Sequence, residues 1–200
     1  MKKLFVLATI MLSLVCSTET FAQSKKELKN VKIRAKELAK EGWKVEGVGT
    51  LESELAKIES KRGNAEILVG SAYGNKKISL AKAKARNNAI NEYAEYAKSI
   101  VKGRINSGLS DLNGEETDNI VSGFERMVIR ELDGEINIPA LVLIRSNGAT
   151  NDCQCFYVID SDAAEKARIK AMNQAIEKAG VAHKYGNEIS KFVNEGFHAE

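Results

Sequence analysis

Glu66-Ile67-Leu68-Val69-Gly70-Ser71-Ala72-Tyr73 is a short apolar run closed by Gly74 and Asn75, and behind it Ile78, Ala81, Ala85, Ala89, Tyr93 and Ala97 recur almost every fourth residue up to Val101. The run reads as a β-strand and the repeat as one face of a long helix. A helix face built mostly of alanine lets its backbone lie unusually close to a sheet or to another helix. The stripe is read as core and not as a ligand groove.

Working toward the C-terminus, residues 103 to 118 are rich in Gly, Asn, Ser, Asp and Glu and read as a polar loop. Ile120, Phe124, Met127, Val128 and Leu132 then follow the helical period, which makes a strand over 126 to 132 the weaker alternative. Ala140 to Arg145 and Cys155 to Ile159 are two β-like runs whose polar connection, Ser146 to Asp152, predicts an antiparallel hairpin. Pro139 has no amide donor and belongs at a strand start or on an edge. Asp162, with Glu165 three residues later, fits a capping box opening a second alanine-striped helix through Ala164, Ala167, Ala171, Ala175 and Ala179. After Gly180, a last amphipathic helix is predicted through Val181, Tyr185, Ile189, Phe192 and Val193.

Toward the N-terminus, Thr50 can cap a short helix whose first turn carries Glu52 and Glu54. Trp43 to Thr50, with Gly47 and Gly49, reads as an extended linker pinned by the Trp43 ring. Residues 25 to 41 form an amphipathic helix with Leu28, Val31, Ala35 and Leu38 on one seam and Gly42 as its stop. Its lysines at 25, 26, 29, 32, 36 and 40 alternate with glutamates, as on a solvated face. The seam is the candidate interaction surface, for self-association or for docking on the C-terminal helix.

The first 22 residues place the chain outside the cytoplasm. Lys2 and Lys3 precede an apolar run from Leu4 to Val15, and Thr20-Phe21-Ala22 suits cleavage after Ala22, so a signal peptide is expected and Gln23 becomes the new amino terminus. The run is short for a permanent span. Lipid attachment at Cys16 is disfavoured, because bulky Val15 stands where lipoprotein processing wants a small residue.

About 178 residues remain, enough for one ordinary domain. The full chain has 30 Lys and Arg against 27 Asp and Glu; losing Lys2, Lys3 and Glu19 leaves a net charge near +2, which gives no electrostatic footprint for nucleic acid. Membrane contact is expected only peripherally, if at all. The element order predicts an α+β domain: a small, mainly antiparallel sheet covered on one face by alanine-striped helices, with extra amphipathic helices at both ends. Residues 23–63 are the helical extension, 64–180 the core domain and 181–200 the C-terminal helix.

Gly70-Ser71-Ala72-Tyr73-Gly74, followed by Ala81, Ala85 and Ala89, resembles the opening strand and helix of the Lpp-twenty family of conserved envelope lipoproteins, and a similar pattern opens the amino-terminal domain of flagellar assembly protein T. The resemblance covers roughly residues 64 to 180. It implies an envelope protein and carries no catalytic residue onto this sequence. The missing lipoprotein cleavage pattern and the helices before 42 and after 180 depart from it.

Residues with chemical potential are few. His183 follows the helix-breaking Gly180 and His198 sits near the end, so neither supplies an obvious catalytic base. Cys153 and Cys155 are the mature cysteines; side chains two apart on a strand share a face, but a Cα separation of about 6.5 to 7 Å is at the limit for a disulfide, which leaves a bridge or two free thiols open. Cys153, Cys155 and His183 lack a fourth ligand and the spacing of a familiar zinc module. Asp160-Ser161-Asp162 is better explained by helix capping than by calcium. Gly70 and Gly74 complete no phosphate-loop motif and read as a tight strand exit. No cofactor is expected. The chain reads as a non-catalytic interaction or structural module whose partner is another envelope protein or a second copy, with an enzyme whose site the sequence hides as the alternative.

Overall fold

A computed structural model describes residues 26–108 and 114–180, together with Lys191, Glu195 and Phe197. The expected signal peptide with Cys16, the helix read over 181–200 as an element, His183 and His198 lie outside the described residues. Helix α1 covers 26–40, followed by β1 (Lys44–Val45), α2 (Leu51–Glu59), β2 (Ala65–Asn75) and α3 (Ile78–Gly108). Next come α4 (Gly114–Glu135), β3 (Leu141–Ser146), β4 (Asn151–Asp160) and α5 (Ser161–Lys178). The four strands form one antiparallel sheet in the order β1-β3-β4-β2, so the class is α+β.

The alternation of side chains along the strands divides the interior in two. Leu68 and Ala72 of β2, with Cys153, Cys155, Tyr157 and Ile159 of β4, face α3, α4 and α5. Leu141 and Leu143 of β3, with Phe156 of β4, face the other way and pack with Val31, Trp43 and Leu55 under α1 and α2. The alanine-striped helices do share one face of the sheet. The opposite face is also covered, by the segment read as an extension, and burial on both faces explains why β2 and β4 are apolar at consecutive positions.

Several local readings change. Trp43 to Thr50 is not simply a linker, because Lys44 and Val45 pair with Ile144 and Leu143, and Trp43 is buried. Helix α3 does not stop near Val101: it passes Gly103, since Val101 and Ile105 on either side are both buried, and packing outweighs the cost of about 1 kcal/mol for a helical glycine. Strand β4 starts at Asn151, four residues before its apolar run, because Arg145 binds Asp152 Oδ2 (Nε, 3.0 Å) and the Gly74 amide donates to Asp152 Oδ1 at 2.8 Å. Helix α5 is capped by Asp160, whose Oδ1 accepts from the Asp162 amide at 3.0 Å, in place of the expected box from Asp162 and Glu165. The Thr50 cap is present, reciprocated by Ser53.

Candidate strand-docking edge

Strand β2 is the last in the sheet order, and the hydrogen-bond alternation shows which of its backbone groups are left facing outward. Glu46 N donates to Val142 O at 2.9 Å, so Val142 and Ile144 direct their backbone groups toward β1, and Leu141, Leu143 and Arg145 direct theirs toward β4. Gln154 of β4 thus bonds Leu143, and its neighbour Cys155 bonds Gly70. Carried along β2, the alternation turns Glu66, Leu68 and Gly70 inward, and Ala65, Ile67, Val69 and Ser71 outward.

The upper half of this edge is closed. Asn88 Nδ2 of α3 donates to Ser71 O at 2.7 Å, and the register shifts between Ala72 and Asn75. Such caps and bulges are how proteins blunt a sheet edge. The lower half, Ala65 to Val69, has neither device among the described residues and lies between two clefts. On one side, a cleft of about 230 Å³ is lined by Val31, Leu55, Ile58 and Phe156, with Arg34, Glu59 and Arg62 adding charge. On the other, a cleft of about 700 Å³ is lined by Glu66, Ala89, Glu92, Tyr93, Tyr96 and Phe197. Arg62, Ile67 and Val69 line both, so the two clefts meet along the open edge.

Beneath the larger cleft lies a polar cluster. Arg168 of α5 is only 4% exposed and donates through Nη1 to Glu66 Oε1 and, at 2.6 Å, to Tyr93 Oη. Its Nε has no hydrogen-bond partner among the described residues. Burial pushes the Tyr93 hydroxyl well above the ordinary tyrosine range, opposed by the Arg168 charge beside it, so Tyr93 stays neutral. The Phe197 ring stacks on the guanidinium, 4.4 Å from centroid to Cζ. A buried, paired cation under an aromatic ring organises a surface; it does not by itself provide a nucleophile or a general base.

The residues singled out from the sequence are dispersed. Cys153 and Cys155 are free, fully buried thiols whose Sγ atoms are 3.6 Å apart, on the sheet face that meets the alanine-striped helices. The hydrogen bond to Cys155 and then burial push the Cys153 thiol up. Of the seam, Val31 and Ala35 are buried and Leu38 packs partly, all against the sheet of the same chain, whereas Leu28 is 50% exposed. Among the described residues the seam thus packs internally, with the sheet as its partner, and its expected docking on the C-terminal helix lies outside them. Among the described residues, no group of three or more His, Cys, Asp or Glu could hold a metal ion, and no helix is long and apolar enough to cross a membrane.

Sequence reasoning missed the Arg168, Glu66 and Tyr93 cluster. Its signal was present: Arg168 interrupts the apolar stripe between Ala164 and Met172, and a charge within a buried stripe requires a partner. Comparison with known protein families, with curated proteins and with solved structures found no match for this chain.

Proposed function

We propose that the chain is an exported envelope protein that acts as a non-catalytic interaction module, and that its contact surface is the open edge of β2 from Ala65 to Val69. The observation that carries this reading is the edge itself: outward backbone groups between two clefts, on a strand whose other half is capped. An extended segment of another protein added there would satisfy those backbone groups and place its alternate side chains in the two clefts. The apolar leader ending at Ala22 and the resemblance of the β2 and α3 stretch to an envelope family support the compartment.

In-cell photocrosslinking of the chain expressed with its own leader tests the reading. A benzoylphenylalanine in place of Tyr96, beside the edge, is expected to give discrete protein adducts in the envelope fraction. The same group in place of Val48, which is fully exposed near the opposite end of the sheet, is expected to give none. Equal labelling at both positions, or none at Tyr96, would remove the support for this surface.

A further inference from the structure

We infer that the edge takes an extended partner segment with aliphatic side chains facing the cleft under α1 and α2 and an aromatic side chain facing the cleft under α3, and that Phe197 of this chain occupies the aromatic place beforehand. The inference rests on the proposed interaction role and specifies the partner's chemistry.

The two clefts differ in what they can hold. The smaller is walled by aliphatic side chains and Phe156, and its volume suits one or two branched aliphatic groups. The larger has Arg168 beneath it. That guanidinium is fixed in position by Glu66 and Tyr93, and a flat cation desolvated in this way is best covered by the face of an aromatic ring. The chain itself provides the demonstration, because Phe197 lies over Arg168 and lines the same cleft as Tyr93 and Tyr96. An incoming aromatic residue would find this place taken and would have to displace the Phe197 ring. A segment with an aliphatic side chain there would give up the cation–π contact and gain nothing for it. Alternation of the two classes is also the pattern that a β-strand presents to its two sides.

The test uses the full mature chain and a fluorescent seven-residue peptide with lysine at each end and valine and phenylalanine alternating between, titrated by anisotropy. Phe197→Ala removes the resident ring, and a cation–π contact of about 2 kcal/mol at a desolvated guanidinium converts to an expected tightening of up to roughly 30-fold. Phe197→Trp strengthens the resident contact and is expected to weaken peptide binding. Ala65→Pro deletes an outward amide while leaving the ladder to β4 intact, and is expected to weaken binding roughly fivefold or more. Thermal melts confirm that each variant is folded. If Ala65→Pro weakens binding but neither Phe197 variant changes it, the inference about Phe197 is overturned while the edge remains a docking site. If the peptide binds neither the wild type nor Phe197→Ala, or Ala65→Pro has no effect, both the inference and the edge reading fail.

Discussion

Gly70 shows how much of this fold depends on one missing carbon. A Cβ placed there would lie 1.9 Å from Ala85 O and 2.4 Å from Ala89 N, both backbone atoms of α3 that cannot rotate away. The alanines and the glycine are two halves of one contact, in which helix and strand meet backbone to backbone. Gly70→Ala must drive β2 and α3 apart, and the expected loss is about 3 kcal/mol or more, at the upper end for overpacking. Gly103→Ala is the matched control: it lies in the same helix with nothing within 4 Å of the added carbon, and is expected to stabilise by about 0.5–1 kcal/mol. Urea midpoints at unchanged slope measure both; two shifts of the same sign would contradict this account of the contact. The alanine period was legible in the sequence. Gly70 was read with Gly74 as a strand exit, but only Gly74, with φ of +69°, makes the turn, because the approach of a helix some fifteen residues away leaves no mark on the glycine itself.

At the scale of elements, α1 illustrates what an amphipathic period does and does not reveal. The spacing of Leu28, Val31, Ala35 and Leu38 states that one face is covered, and the structure agrees for three of the four. It could not state what covers it. The answer depends on β3 and β4, more than a hundred residues later, whose Leu141, Leu143 and Phe156 need a lid on the side away from α3. Val31→Ala removes two buried methyl groups and is expected to cost about 2 kcal/mol of stability. Leu28→Ala, at a half-exposed position, is expected to stay within about 0.5 kcal/mol. Chemical denaturation of the two variants separates this internal docking from a seam that joins chains: equal costs, or a change in sedimentation mass for Val31→Ala, would favour the intermolecular contact. The paired Lys44 and Val45 were illegible for a related reason, since two residues among glycines have no period to read.

For the whole molecule, the decisive property is strand order, which local pattern does not encode. A run such as Ala65 to Val69 is equally apolar in the middle of a sheet or at its margin, and only the pairing of β2 with β4 alone among the described strands makes it an edge. Amide hydrogen exchange across the sheet tests that arrangement directly. Strand β4 is bonded on both sides, so its amides should open only in the largest unfolding events. Along β2 the protection should alternate: amides of Glu66, Leu68 and Gly70 donate toward β4 and are expected to exchange slowly, while those of Ala65, Ile67 and Val69 face outward and are expected to exchange roughly 100-fold faster or more. The alternation within one strand is the informative part, because fraying of the whole element would raise every rate together. The peptide that occupies the edge should then slow Ala65, Ile67 and Val69 selectively, since those are the amides an added strand would use. Uniform protection along β2 in the free protein would mean that this edge is already paired, by a second copy or by another part of the chain, and the docking surface would have to be sought elsewhere.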